Sequence, residues 1–443
     1  MSARNLTRRQ LLQAGAATAL GTALAAPLIF TASKVRAARK EKIVYWHLPN
    51  FTPLADRLQK EQVYAFAKEA GLKDGEVQFT IVSNEEFIAK IAAALETGNP
   101  PDVARLYESF VQLYRSQGHM MQTDAIVKQM RAEPGGLFDS SLAAVRHGGH
   151  FWGVPLAVNP WPIHARIDLL EQAQLDFPKT WDEFVETSKK IQRPPFYAFG
   201  MCLGPQADGT DNIMQVCWCY GGKTVDENGK VVFDSPGNAA GFKFIADMYL
   251  KHKIIPKGAV SWDNAGNNKA YQSKQVAFIN NPTSVYAYLA GNDPDLLKKT
   301  GLFGVPAGPA GAINQIDTWS YGLFSKAPYP ELVVGLVKYL MKPERYNAII
   351  TATDGRWVPV YPRLFDDPFW SGKPEFNRFR EIAKSGVPIS YAGPPSAASG
   401  EVLSTNIIPI ALQRVLVDGV DPAKAVAQCH KQIEEIYKRR AEA

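Results

Sequence analysis

The sequence predicts an α/β protein of two domains, and three observations carry that prediction. Strand-like and helix-like stretches alternate from residue 42 onward, about 400 residues remain once an N-terminal leader is set aside, and one apolar run, Val154 to Val158, stands between two long α/β-patterned segments. Alternation of this kind argues for a largely parallel sheet that takes ligands at the carboxyl ends of its strands. A chain of this length exceeds what one hydrophobic core usually serves, so two domains follow. The apolar run lies in Phe151-Trp152-Gly153-Val154-Pro155-Leu156-Ala157-Val158-Asn159-Pro160. Pro155 cannot donate to a ladder, which puts the run at a sheet edge or bend. Two readings of it stand: a hinge strand crossing between domains, or an ordinary edge strand within one.

The leader comes first. Thr7-Arg8-Arg9-Gln10-Leu11-Leu12 sets a twin arginine ahead of a mildly apolar, Ala/Gly-rich run to Phe30, and Val35-Arg36-Ala37 offers a cleavage site. Residues 1–37 read as a twin-arginine signal peptide, removed on export. A membrane anchor is the weaker reading, because Gly15, Gly21, Thr18, Thr22 and many alanines partition poorly into lipid. No cysteine precedes Cys202, so no thiol near the cleavage point could carry a lipid, and the expected location is free in the periplasm. The whole chain is +6, and residues 1–37 hold five basic residues and no acid, which leaves the remainder at +1. Such a balance gives no reason to expect nucleic acid. Of the four cysteines, Cys217 and Cys219 are too close to pair with each other, so Cys202 with one of them is the local disulfide option. Cys429 reads as core.

The elements then follow in order. Lys42 to Trp46 is a β-rich run, broken by His47 to Pro53 before a helical pattern from Ala55 to Ala70 that Gly71 stops. Val77 to Val82 is a second strand leading to Ser83, which with Glu86 three residues later forms a capping-box pattern. The helix after it puts Phe87, Ile88, Ile91, Ala92 and Leu95 on one face and stops at Gly98-Asn99-Pro100-Pro101. Asp102 to Leu106 restarts a strand. By the carboxyl-end rule the loops at 46–51, 83–85 and 106–109 converge on one crevice. Near the end, Asp421-Pro422 opens a last helix with Val426, Cys429, Ile433 and Ile436 at helical spacing.

Ile91-Ala92-Ala93-Ala94-Leu95-Glu96-Thr97-Gly98-Asn99-Pro100-Pro101-Asp102-Val103 resembles the segment that marks family 1 extracellular solute-binding proteins of ABC importers, the maltose-binding protein relatives. The likeness runs through most of the remaining chain. It includes Phe151 to Pro155, the capped helix start Phe177 to Phe184 with Thr180 and Glu183, the hairpin at Asp226 to Lys230, and Asp354-Gly355-Arg356-Trp357-Val358-Pro359. The chain departs from the family's phenylalanine-x-x-glycine-lysine-x-alanine pattern at Tyr271 and Ser273. The resemblance implies a two-lobed periplasmic-binding-protein fold, with lobe one at residues 39–157 and 308–352 and lobe two at residues 158–307 and 356–443. It also implies the last helix packing on lobe two.

No catalytic constellation is present. Gly221-Gly222-Lys223-Thr224 has the tail of a phosphate-cradling loop but Cys217 where its first glycine should stand, so it reads as a polar turn. His147-Gly148-Gly149-His150 offers two histidines without a third ligand and reads as a surface turn rather than a metal site. A sugar presents hydroxyl edges that want planar donors and acceptors, and apolar faces that want aromatic rings. The candidate contacts are therefore Trp46, Asn50, Phe51, Ser83, Glu85, Tyr107, Glu108, Asn159 and Trp161, then Trp218, Trp262, Asp263, Asn280 and Asn281, and finally Asp317, Thr318, Trp319, Ser320, Arg356 and Trp357. Trp46, Asn50, Asn159 and Asn281 fall where the family's members contact ligand; the others are chosen on chemistry. The resemblance implies a monomeric binding protein, without cofactor or metal, that delivers a sugar or polyhydroxylated solute to an ABC permease in the inner membrane. A polyamine or other small cation is the alternative, kept open by Glu85, Glu108, Asp263 and Asp317. A periplasmic lyase or hydrolase on the same scaffold is a third.

Overall fold

The computed structural model describes residues 40–50 and 52–441. The signal-peptide reading therefore lies outside the described residues, as do Phe51 and the side chain of Glu85. Eleven strands are named along the described chain: β1 Ile43–His47, β2 Val77–Ile81, β3 Val103–Tyr107, β4 Arg146–His147, β5 His150–Phe151, β6 Val154–Pro160, β7 Ile163–Arg166, β8 Tyr197–Phe199, β9 Val276–Asn280, β10 Thr300–Phe303 and β11 Ile316–Leu323. They form a five-stranded sheet in the order β2-β1-β3-β11-β6, a four-stranded sheet in the order β10-β7-β9-β8, and the small hairpin β4-β5.

The first sheet opens as its sequence predicts. The helix Pro53–Glu69 begins with proline, which lacks only a donor the first turn leaves unused, and buries Ala55, Gln59, Val63 and Ala67 at a four-residue spacing. After the helix Asn84–Glu96 the chain turns at Gly98, whose φ of +75° is the left-handed stop expected there. β1 pairs in parallel with both β2 and β3.

The sheets are mixed rather than largely parallel. β11 runs antiparallel to β3 and to β6, and β7 runs antiparallel to β10 and β9. The reversed strands are those at the crossings. β6 ends at Pro160 and β7 starts at Ile163, so Trp161-Pro162 carries the chain from one sheet to the other, and β11 returns it. β6 is the outermost strand of its sheet, where Pro155 sits without disrupting an inner ladder. Its pairing with β11 slips between Trp319 and Ser320, a bulge that bends the edge.

Each sheet carries its own core. β3 sends Val103 to one face of the first sheet and Ala104 and Leu106 to the other, as period-two alternation requires. The second core gathers Trp181, Phe184, Phe199, Trp218 and Phe278, and the last helix, Pro422–Ala441, inserts Val426, Cys429, Ile433 and Ile436 into it. One segment departs from the lobe boundaries expected above. Trp357, Val360, Trp370, Phe376, Phe379 and Ile382 pack in the core of the first sheet, so the chain stays with that sheet until about residue 383.

The turn motifs resolve plainly. Thr180 accepts from the Glu183 backbone and Glu183 returns to Thr180, closing the capping box, whereas Ser83 makes no side-chain cap bond. All four cysteines are buried free thiols, so Cys202 is bridged to neither Cys217 nor Cys219. No helix among the described residues is long and apolar enough to cross a membrane.

Candidate functional site

A cleft of about 650 Å³ receives side chains from both sheets and from the crossings between them. Strand alternation chooses its floor. Arg105 and Tyr107 lie two apart on β3, and Asp317 and Trp319 two apart on β11, so each pair faces the same way. All four line the cleft, together with Asn159 and Trp161 at the first crossing and Arg356 and Trp357 from the segment that stays with the first sheet. Leu48, Phe87, Ile88 and Phe110 add an apolar rim from the loops and helices after β1, β2 and β3. The facing wall is the first turn of the helix Ala207–Cys219, where Ala207, Asp208 and Asp211 come into line, with Asn264, Ala265, Pro282 and Leu403 beside it.

The aromatic rings form an edge-to-face chain. Tyr107 meets Trp319 at 5.7 Å and Trp319 meets Trp357 at 5.4 Å between ring centroids. The Arg356 guanidinium lies over the Trp357 ring at 3.8 Å and that of Arg105 at 5.2 Å. Such stacking holds both guanidinium planes and the ring in fixed orientation.

The hydrogen bonds converge on Asp317. Asn159 and Asp317 are cross-strand partners, and Asn159 Nδ2 donates to Asp317 Oδ2 at 3.0 Å. Asn159 Oδ1 in turn accepts from Thr283 at 2.7 Å and from Arg356 at 3.2 Å, tying the first crossing to Arg356 and to the loop after β9. Gln315 Nε2 donates to Asp211 at 2.6 Å and to Asp317 at 3.3 Å, so one amide bridges carboxylates that come from the two sides of the cleft. Tyr107 donates to Asp317 at 3.4 Å.

This crowding of carboxylates, with Asp211 and Asp317 buried and Asp208 half-buried, has an electrostatic consequence. Burial, then the charge of Asp317, pushes Asp208 up to about 8. Burial raises Asp211 and Asp317 as well; Asp317 adds to the effect on Asp211, while hydrogen bonds and Arg356 oppose the rise at Asp317. Burial draws Arg356 down to about 9. Asp208 is thus held towards its protonated form, in which a carboxyl group can donate as well as accept.

Of the residues chosen from sequence, Tyr107, Asn159, Trp161, Asp317, Trp319, Arg356 and Trp357 line the cleft. The other candidates among the described residues lie elsewhere for identifiable reasons. Thr318 and Ser320 are buried on the opposite face of β11 from Asp317 and Trp319, and Glu108 is buried behind them, accepting from the Thr318 backbone at 3.1 Å. Trp46 is half-buried with the Lys90 amine over its ring at 5.1 Å, and Ser83 stands at a helix start. Asn50 is buried, its carbonyl taken by Arg105 at 2.6 Å. Asn280 and Asn281 brace the crossing: Asn280 Nδ2 holds the Trp161 carbonyl at 3.1 Å, and Asn281 bonds Asn267 at 3.2 Å. Trp218 is wholly inside the second core, Trp262 packs against that core's edge, and exposed Asp263 pairs with Lys269. Arg105, Asp208 and Asp211 were missed. Arg105 was within reach of the alternation rule, two residues before Tyr107, and Asp208 and Asp211 share the spacing of one helix face.

The near-miss motifs both lie in turns. His147 pairs with His150 across a hairpin, His150 bonds Asp124 at 2.8 Å, and no group of metal-ligating side chains occurs among the described residues. Gly221 to Thr224 follows the end of the helix Ala207–Cys219 as a turn.

Comparison with known proteins agrees with this architecture. A family model described as bacterial extracellular solute-binding protein matches residues 50–345. A probable ABC transporter-binding protein of Deinococcus radiodurans is 25% identical over 232 residues, which are 50% of this chain and 54% of that one, so the match spans about half the length of that relative. Among solved structures, maltose-bound MalE3 of T. maritima superposes with a TM-score of 0.75 at 20% identity over 89% of this chain and 99% of that one. A tagatose-bound ABC transporter solute-binding protein of Thermotoga lettingae does so with a TM-score of 0.76 at 18% identity over the same shares, 89% and 99%. The fold is thus the two-lobed one of maltose-binding proteins, and the chain belongs to the family of bacterial extracellular solute-binding proteins.

Proposed function

We propose that the protein is the periplasmic receptor of an ABC importer, capturing a sugar or related polyhydroxylated solute between its two lobes and presenting the closed form to a membrane permease. The observation that carries this reading is the make-up of the cleft. Aromatic rings at Tyr107, Trp161 and Trp319 suit the apolar faces of a sugar, and Asp208, Asp211, Asp317 and Arg356 suit its hydroxyl edges. The maltose and tagatose held by two proteins of the same fold are in keeping with it. The twin-arginine leader would export the chain, which acts as a monomer, and no bond is made or broken. A thermal-shift series with maltose, tagatose and other sugars and polyols tests the reading. A ligand at a hundred times its dissociation constant adds about 2.7 kcal/mol of stability, and no shift with any of them counts against it.

A second reading is favoured by one feature of the same cleft. Asp208, Asp211 and Asp317 stand close together on its walls, a setting that suits the ammonium groups of a polyamine. Putrescine and spermidine in the same series, at pH 9 where Asp208 is ionised, decide between the two. Turnover of any stabilising ligand would instead favour a lyase or hydrolase.

A further inference from the structure

The two ends of the cleft differ in chemistry. At one end Asn159, Asp317, Gln315 and Asp211 are joined by hydrogen bonds, with Asp208 one turn before Asp211 on the same helix. At the other end Leu48, Phe87, Ile88, Phe110 and Trp319 belong to one apolar cluster, and all five line the cleft. Tyr107 joins the ends, its hydroxyl donating to Asp317 at 3.4 Å and its ring meeting that of Trp319 at 5.7 Å between centroids. The side of the second core adds one more apolar group there. The helix Ala397–Ser404 comes against Ser109 at Gly400, beside Phe110, and Leu403, one turn further on, lines the cleft.

Apart from the Trp319 indole, none of these apolar side chains carries a hydrogen-bonding atom. Leu48 and Phe87 are buried, whereas Ile88, Phe110, Trp319 and Leu403 are half-buried and keep part of their apolar surface uncovered. A sugar ring here would surrender the water on its hydroxyls without a partner to replace it. Leu48, Ile88 and Leu403 also lack the π face on which the C–H groups of a sugar stack. An apolar group, by contrast, gains from the same surface in proportion to the area it covers.

We propose that the solute is a glycoside, its polyhydroxylated head among Asn159, Asp208, Asp211 and Asp317 and an aryl or alkyl aglycone against Ile88, Phe110, Trp319 and Leu403. The inference rests on the sugar reading above and narrows it. Tyr107 and Trp319 stand where head and aglycone join. An aglycone that touches Ile88 on one side and Leu403 on the other adds to the contacts that favour the closed form.

Methyl and phenyl glycosides of glucose, galactose, mannose and xylose, in both anomers, are compared in pairs by calorimetry, with maltose and cellobiose alongside. The phenyl member of the pair whose sugar fits is expected to bind about tenfold or more tightly than its methyl partner. Phenyl glucoside is expected to bind more tightly than either disaccharide. Ile88→Thr and Leu403→Asn, which put polar atoms into the apolar end at similar size, are expected to fold and to narrow the gap within that pair to about threefold or less. Equal affinity within every pair that binds, a disaccharide that binds more tightly than phenyl glucoside, or a gap that survives both variants overturns the proposal and leaves the sugar reading standing. Binding by no member of any pair counts against the sugar reading itself, and the glycoside falls with it.

Discussion

Asn159 uses its side-chain carbonyl and one amide hydrogen inside the protein, donating to Asp317 and accepting from Thr283 and Arg356. Read from sequence, its place after an apolar strand and before Pro160 points the amide at a ligand; the three partners, 124 to 197 residues away in the chain, were not legible there. Asn159→Ala should therefore lower the apo melting temperature, by about 1 to 3 kcal/mol of stability for a buried polar network left incomplete. Calorimetry on apo protein checks this, and an unchanged transition would return Asn159 to the ligand. Asp208 gives a pH signature of its own. Its pKa of about 8 in the fold lies above the ordinary carboxylate value of 3.8, so between those values the folded chain holds a proton that the unfolded chain has lost. That contribution is complete below the lower value and is lost as pH rises through the upper one. Asp208→Asn should melt with the parent protein at low pH but above it at about pH 9. Parallel melting curves across that range would show that Asp208 titrates normally.

At the scale of elements, two sequence-identified capping boxes had different outcomes. Thr180 and Glu183 exchange both bonds, while Ser83 makes none. Thr180→Ala should cost about 1 kcal/mol and Ser83→Ala close to nothing, measured by denaturant unfolding. Equal losses would mean that the two helices start alike in solution. Local rules located the helices after β1 and β2, the last helix, and the strands β1, β2, β3 and β6, because caps, proline stops and apolar periods are written within a dozen residues. The direction of β11 is not local. It pairs with β3 across more than 200 residues, and nothing in Ile316 to Leu323 alone says that it runs against its neighbours. The same strand shows what closer reading recovers: of four consecutive candidates, 317 to 320, only one alternate pair can face the cleft, and it is Asp317 and Trp319.

Over the whole molecule, the fold class was legible because resemblance extends along most of the chain, and the continued packing of Trp357 to Ile382 in the first core was not, since only long-range packing decides it. Closure is the property that belongs to this scale. The helix Ala397–Ser404 seats Ala398 and Val402 in the second core, yet Gly400 on it lies against Ser109, whose helix Glu108–Ser116 sends Val111 and Tyr114 into the core of the first sheet. A Cβ on Gly400 would come to 2.8 Å from Ser109 Cβ, closer than packed carbons approach. Glycine is thus what lets the two sides meet at the cleft rim. Gly400→Val should hold them apart, and because a solute that touches both walls stabilises only the closed arrangement, it should lose affinity. Overpacking of this kind costs about 1 to 3 kcal/mol, roughly five- to a hundredfold in Kd. Solution scattering of the solute-saturated variant should retain the larger radius of the apo form. Ser109→Gly in the same chain should relieve the contact and recover the binding. Full affinity in Gly400→Val alone would mean that solute capture does not require these two helices to touch.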